Sequence, residues 1–313
     1  MKPVPGHEQG AALINVLVLV GVMAALSTGL FDRLRLARHL DGSRAMLEQA
    51  RGAALAGETM LLARLPMATL PARPFRLDTP AGAATAALVP GGNCFNLNSL
   101  AMGPPGRTVT RPLGVEQLAR LLSLLEVPDA EAQRIAAATA DWIDADQQPQ
   151  PGGAEDPAYA RAAIPYRTGG TLLAEVSEWR AVAGVTPAIF ARARPHLCAL
   201  PEAELSRPNI NSLQGRDAVV LAAIIGLPVA SARDVIAARP PAGWASAADF
   251  WAQPLLAGRQ GAADVLRQVD VRDRWVAFSL ASATAELPLE MTGLIDAGRP
   301  PARLVARRWG PDT

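Results

Sequence analysis

Apolar residues crowd one end of the chain. Ala11–Leu30 is a run of twenty residues without a charge, and only Asn15, Ser27 and Thr28 within it carry polar side chains. A helix of that length measures about 30 Å, the hydrocarbon thickness of a bilayer. Helical spacing continues through Phe31–Leu65, where Leu34, Leu40, Leu47, Leu55, Leu61, Leu62 and Leu65 are interleaved with Arg, Glu and Ala. Gly42, Gly52 and Gly57 weaken this helix but permit close packing, and Pro66, Pro71 and Pro74 end it. Strand-like runs follow at Phe75–Leu77, Ala84–Val89 and Cys94–Leu97, with Gly91-Gly92 read as a turn between the last two. Helical periodicity then returns at Val115–Leu125, Asp129–Trp142, Leu172–Val182, Pro187–Ala193 and Asp217–Ile225. Asp129 reads as an N-cap, with Glu131 in the first turn. Val265–Val271, Arg274–Thr284, Leu287–Ile295 and Arg303–Arg308 again look like strands. Strands on both sides of a helical block predict one mixed α and β domain carrying a helical insertion, with the long N-terminal helix packed on the sheet.

Met1–Gly10 is a polar leader that ends in glycine. A secretory signal is cut after its apolar run. Here the candidate cut, Gly10–Ala11, precedes the run and would leave the apolar helix on the mature chain. This arrangement resembles the leader of type IV pilins and of the pseudopilins of type II secretion. The resemblance implies an inner-membrane prepilin peptidase that cuts after Gly10 and methylates the new amine of Ala11. A plain single-pass anchor is the alternative; a buried helix of a soluble core rarely needs so long an uncharged run. Most of these families place Glu at the fifth mature position, which here is Asn15. A carboxylate in hydrocarbon costs about 2.5–3.5 kcal/mol unless it meets a cation. In a pilus that cation is the terminal amine of the neighbouring subunit, so a neutral Asn15 suits a subunit with nothing stacked above it. Arg33, Arg35 and Arg38 follow the span while Lys2 precedes it, and the positive-inside rule alone would put the C-terminal part in the cytoplasm. The leader and the cysteines point outward instead.

The 313 residues leave room, beyond the anchor, for two or three modest domains. A formal net charge of +1 gives no electrostatic reason to expect nucleic acid. Lys2 is the sole lysine and lies in the leader. A mature chain without it has no Walker-type lysine, no Schiff base and no Ser–Lys dyad. His7, His39 and His196 are scattered, and no G-x-S-x-G, H-E-x-x-H or G-x-G-x-x-G occurs, so the reading is not an enzyme. Cys94 and Cys198 form no C-x-x-C pair. In an oxidising compartment they would close a disulfide; in a reducing one they would be two buried thiols.

Further motifs run in order along the chain. They are Gly92-Asn93-Cys94-Phe95-Asn96-Leu97-Asn98-Ser99-Leu100, Asp141-Trp142-Ile143-Asp144-Ala145-Asp146, Gly153-Ala154-Glu155-Asp156 with Tyr159, Pro165-Tyr166-Arg167, Leu173–Glu178, Gly184–Pro187 and Asn209–Ser212. Together with the leader and the missing glutamate, this set resembles the K-type minor pseudopilin of the type II secretion system, over nearly the whole chain. The resemblance implies an α+β pilin-like fold, a long transmembrane helix on an antiparallel sheet, with a large helical domain inserted between strands. It divides the chain into a leader (1–10), transmembrane helix (11–30), pilin-like stem and first strands (31–97), inserted helical domain with an acidic loop (98–208), second helical subdomain (209–262) and C-terminal strands (263–313). It implies a single-pass inner-membrane protein with a periplasmic head. It also implies a tip position on the pseudopilus, priming assembly with I-, J- and H-type minor pseudopilins. The remaining implied partners are the major pseudopilin, the prepilin peptidase and the inner-membrane assembly platform, with no nucleic acid among them.

The acidic loop is the candidate site. Asp144 and Asp146 follow a helix end, Gly152-Gly153 come next, and Glu155 and Asp156 close the loop, with Asp141 nearby. Such a cluster repels itself unless a cation holds it, and Ca²⁺ accepts six to eight oxygens from flexible loops. The spacing is not that of an EF-hand. Related K-type proteins bind calcium in this domain, so the resemblance implies a structural Ca²⁺ on Asp144, Asp146, Glu155 and Asp156; a solvated acidic loop is the plainer alternative. Val182–Val185 and Asn209–Asn211, the latter leading into Leu221–Leu227, resemble helix–hairpin–helix elements. They motivate a second reading, a membrane-tethered DNA receptor for uptake, against which the basic stripe is missing. A minor pilin of a type IV pilus is a third. Trp142, Trp179, Trp244 and Trp251 are expected to anchor the helical core, Trp275 and Trp309 to lie on the C-terminal sheet. The Leu47–Leu65 face is expected either to meet the I- and J-type partners or to cover the sheet.

Overall fold

The computed structural model describes residues 8–65, 70–104, 106–257, 263–282 and 289–310. Residues 1–7, Pro66, and the strand ends expected at residues 283–284 and 287–288 lie outside these. The first element is one uninterrupted helix, α1 (Glu8–Arg64), of 57 residues. At 1.5 Å per residue it is about 85 Å long. Its N-terminal part is apolar and long enough to cross a membrane, and none of that stretch is covered by the rest of the chain. Among the described residues, its buried positions all fall in the C-terminal third. There Ala50, Ala53, Ala54, Glu58, Leu61 and Leu65 are buried, a helical stripe facing the sheet.

The sheet has five strands in the order β1-β2-β7-β8-β9, all antiparallel. β1 (Phe75–Thr79) and β2 (Gly82–Pro90) form a hairpin whose turn needs the positive φ of Gly82 (132°). β2 pairs with β7 (Trp275–Ser282), so the whole helical block is inserted between two neighbouring strands. β8 (Glu290–Asp296) and β9 (Arg303–Trp309) complete the sheet, with a bulge near Leu294 and Ile295. Leu77, Ala84, Ala86, Val276, Phe278, Leu280, Met291 and Ile295 form one core with Ala54 and Leu61 of α1 and with Leu65 just after it. The stem lies close because Gly57 has no side chain: a Cβ there would sit 3.3 Å from Leu280 Cδ2.

The inserted block has two further cores. The first is built on α2 (Pro112–Leu124), α3 (Asp129–Ile143) and α5 (Pro187–Ala193), with Trp142, Trp179, Phe95 and Phe190 buried among them. Between α3 and α5 lies the short helix α4 (Asp156–Tyr159). The second core lies under α6 (Ala218–Ile225), α7 (Val229–Ala237) and α8 (Ala247–Trp251), around Trp244 and Phe250. Trp251 is half-buried at its edge. Trp275 is buried at the head end of β7, whereas Trp309 on β9 is exposed.

Several sequence expectations are corrected. Gly91-Gly92 does not join paired strands: β3 (Phe95–Asn96) pairs in parallel with β6 (Leu197–Cys198) and belongs to the helical block. Asp129 is the first helical residue, and Pro128 is the N-cap, because proline's fixed φ already sets the entry. Leu172–Val182 is helical only as a 3₁₀ stretch, Val176–Ala181. Val265–Val271 is not a strand: the short helix α9 (Ala263–Leu266) overlaps it, and Val269 sits in the second helical core, so the C-terminal sheet starts at Trp275. The alternation there reflects burial of one side of a turn rather than a pleat.

Paired asparagines explain two of the motifs. Asn96 and Asn98 are fully buried. Asn96 donates to the carbonyls of Glu202 and Glu204 and accepts from Leu200 N–H; Asn98 donates to Leu173 and Leu200 carbonyls and accepts from Leu173 N–H. Asn211 does the same for Trp244 and Val271. A carboxamide offers donor and acceptor together, which lets one side chain satisfy irregular buried backbone. Beside this stitching, Cys94 and Cys198 form a disulfide with Cα atoms 5.7 Å apart.

Candidate metal centre

α3 ends at Ile143, and the carboxylates follow at once. Asp144 is the C-cap residue, and its N–H donates to Ala140 O. Asp146 lies two residues on and exposed; its Oδ1 accepts from Gln148 N–H at 2.8 Å. The chain loops through Pro151–Gly153 and returns with Glu155, which caps α4. Asp144, Asp146 and Glu155 bring one carboxylate oxygen each to within 4.8 Å of one another.

The surroundings make this cluster unusual. Glu155 is 3% exposed, and among the described residues neither of its oxygens has a hydrogen-bond partner; Asp144 Oδ1 is buried and equally unpartnered there. Asp144 Oδ2 accepts from Thr110 Oγ1 at 2.7 Å. Burial, and then the charges of Asp141, Asp144, Asp146 and Asp156, push the Glu155 carboxyl up to about 7. Burial also raises Asp144, against the Thr110 hydrogen bond. Asp141, fully buried one turn earlier on α3, is raised by burial to about 6, although the N–H groups of Gln150 and Ala154 oppose the shift. Its two oxygens accept from Gln150 N–H at 3.0 and 3.2 Å, and a Cβ on Gly153 would collide with it. Asp141 thus ties the returning loop to α3.

Buried carboxylates without donors carry a large desolvation penalty, and a divalent cation removes it. The donors are all oxygen, which suits a hard ion such as Ca²⁺ rather than Zn²⁺. Of the four residues expected from sequence, three converge and Asp156 does not. Its Oδ1 accepts from Thr168 N–H and Oγ1 at 2.9 and 3.0 Å, and Arg167 lies 3.9 Å from Oδ2. Thr110 was not foreseeable, because it lies 34 residues before Asp144 with no local signal. Gly10 and Ala11 lie within the opening turns of α1.

The two hairpin glycines are exposed, and each has one side chain close beside it. A Cβ on Gly184 would meet Ile135 Cγ1 at 2.9 Å, and one on Gly226 would come within 3.6 Å of Arg120 Nη1. Arg120 itself donates to Ala223 O at the end of α6. Ile135 of α3 and Arg120 of α2 are the residues against which these two turns lie.

Comparison with known proteins closes the picture. The family model described as "Type II secretion system (T2SS), protein K" matches residues 93–202, and a second model of the same description matches residues 208–272. Type II secretion system protein K of Klebsiella pneumoniae is 33% identical over 268 residues, 80% of this chain and 81% of that protein. The protein of the same name from Pectobacterium carotovorum subsp. carotovorum is 28% identical over 320 residues, 97% of each. A chain of the crystal structure of the GspK-GspI-GspJ complex, from the type 2 secretion system of enterotoxigenic Escherichia coli, superposes with a TM-score of 0.70 at 27% identity. That match covers 89% of this chain and 100% of the other.

Proposed function

This chain belongs to the type II secretion protein K family, and from that membership we propose that it is the minor pseudopilin at the tip of the pseudopilus. The observation that carries the reading is the placement of the head. A two-core helical block is inserted between β2 and β7, at the end of a slim helix whose other end is uncovered and apolar. Such a subunit can finish a filament, but inside one its head would collide with the subunit above. Asn15 supports the same end position, since it needs no amine from a neighbour.

In this reading the prepilin peptidase cuts between Gly10 and Ala11, the apolar helix stays in the inner membrane, and the head lies in the periplasm. The chain assembles with I- and J-type minor pseudopilins, then with the H-type and the major pseudopilin on the assembly platform. This primes a filament that helps drive folded proteins outward. Asp144, Asp146 and Glu155 hold Ca²⁺, which supplies the positive charge that their buried oxygens lack; backbone carbonyls of the loop complete the shell.

Labelling the head through one exposed cysteine introduced at Gln148, and imaging isolated pseudopili, tests the position. A single label at one end is expected. Labels spaced along the shaft overturn the proposal. Mass spectrometry of the membrane form should find a chain beginning at Ala11 with a methylated amine.

A further inference from the structure

The carboxylate cluster is bonded to a small hairpin on its inner side. β4 (Ala101–Met102) pairs with β5 (Val109–Thr110), joined by a turn that starts at Gly103. Gly103 has φ 111°, and a Cβ there would press to 2.8 Å from Arg107 O, so the turn depends on it. Three hydrogen bonds link Thr110 of β5, and Thr108 just before that strand, to three successive residues, the last of α3 and the two that follow. Thr108 Oγ1 donates to Ile143 O at 3.2 Å, Thr110 Oγ1 donates to Asp144 Oδ2 at 2.7 Å, and Ala145 N–H donates to Thr108 O at 2.9 Å. Thr108 is buried, at 2% exposed.

The Thr110 bond divides the Asp144 carboxylate. One oxygen is held by the hydroxyl; the other, Oδ1, is buried beside Glu155, and among the described residues neither it nor the Glu155 oxygens have a hydrogen-bond partner. Without the hydroxyl the carboxylate could rotate and satisfy itself elsewhere. Partners behind a metal ligand commonly change affinity by about 10–100-fold when removed, because they fix the ligand's orientation.

Resting on the reading of this cluster as a cation site, we propose that Thr110 is its positioning residue, and that cation binding is thereby coupled to the order of the β4–β5 hairpin. The coupling is reciprocal by thermodynamic necessity. If a correctly placed Thr110 strengthens cation binding, the bound cation holds Thr110 and its hairpin in place. The acidic loop is then a fastener for a strand pair more than thirty residues earlier in the chain, not only a brace for itself.

The experiment uses the full chain in detergent, with equilibrium dialysis against Ca²⁺ and amide hydrogen exchange over residues 101–110. Thr110→Val keeps the branched shape and removes the hydroxyl; Thr110→Ser restores it. Thr110→Val should weaken Ca²⁺ binding about 10–100-fold. Thr110→Ser should bind within about threefold of the parent, since the orienting hydroxyl is retained. Ca²⁺ should slow exchange in the parent hairpin and lose that effect in Thr110→Val. Parent-like affinity in Thr110→Val overturns the proposal while leaving the cation site intact. Equal loss in the Val and Ser variants also overturns it, because packing and not the hydroxyl would then be responsible. No bound Ca²⁺ in the parent removes the cation reading and this inference together.

Discussion

Glu58 on the stem helix and Arg307 on the last strand form a two-point ion pair between residues 249 positions apart, with N–O distances of 2.7 and 2.6 Å. Glu58 is 5% exposed, so Arg307 and not water is what its carboxylate faces. Arg307→Ala strands a buried carboxylate and is expected to cost about 2–3 kcal/mol. That is below the figure for a fully buried pair, because the guanidinium is partly in water. Thermal unfolding of the detergent-solubilised chain checks it, and Arg307→Ala combined with Glu58→Gln should recover part of the loss.

The carboxylates predict an inverted pH response. Glu155 and Asp141 have folded-state values near 7 and 6, above their ordinary ones. A raised carboxyl binds more protons folded than unfolded, so the contribution of these two groups to the metal-free head is most favourable below the ordinary carboxylate range. That contribution is lost as pH rises toward 7. In chelator, the melting temperature should therefore fall between pH 5 and pH 7.5. Added Ca²⁺ should raise it, and raise it more at the higher pH, because deprotonated ligands bind better. A flat profile in chelator would contradict the arrangement.

Asn98 predicts a large effect from a small change. Asn98→Leu keeps the volume but takes away the side-chain partner of the Leu173 N–H and carbonyl, and one of the donors to the Leu200 carbonyl. The expected cost is about 3 kcal/mol, several times that of an average surface substitution. Denaturant unfolding followed by tryptophan fluorescence would read it, since Trp179 lies in the same core.

The disulfide closes a loop with a sequence separation of 104. In the chain-entropy model that constraint is worth about 4–5 kcal/mol. The paired change Cys94→Ala with Cys198→Ala should lower the denaturant midpoint of the helical block, while the strands of the five-stranded sheet unfold as before.

On the stem, Leu55 is 38% exposed while Leu61 is 2% exposed. Leu55→Glu should weaken capture of the proposed I- and J-type partners without altering the melt of the head. Leu61→Glu should instead detach the sheet from the helix. Co-purification and circular dichroism of both variants separate a docking surface from a packing surface.

Much of this was legible because local physics repeats. The uncharged run, the stem leucines and β7–β9 follow directly from period, as does the helical block between the strand groups. Burial settled what period could not: the Leu47–Leu65 face divides, with Leu61 and Leu65 under the sheet and Leu55 outside. The N-L-N run read as a motif, but its meaning, two carboxamides bracing distant backbone, needs the fold. For the acidic loop, spacing named Asp144, Asp146, Glu155 and Asp156 as one set; the first three converge, whereas the Asp156 carboxylate turns to Thr168. Thr110 and Asp141 act by closing a strand and a loop onto the site, and contacts over that range leave no periodic trace.

β2 and β7 are hydrogen-bonded neighbours, and the ladder runs on past Pro90 to a bond from Gly91 N–H to Trp275 O. The route out of the sheet and the route back are therefore side by side, like the two feet of a clip. A short turn could bridge them and leave an ordinary five-stranded subunit behind. On the proposed tip reading, the bulk that would stop a filament is a detachable cassette, and transplanting it between the corresponding strands of a shaft subunit should turn a repeating brick into a terminus.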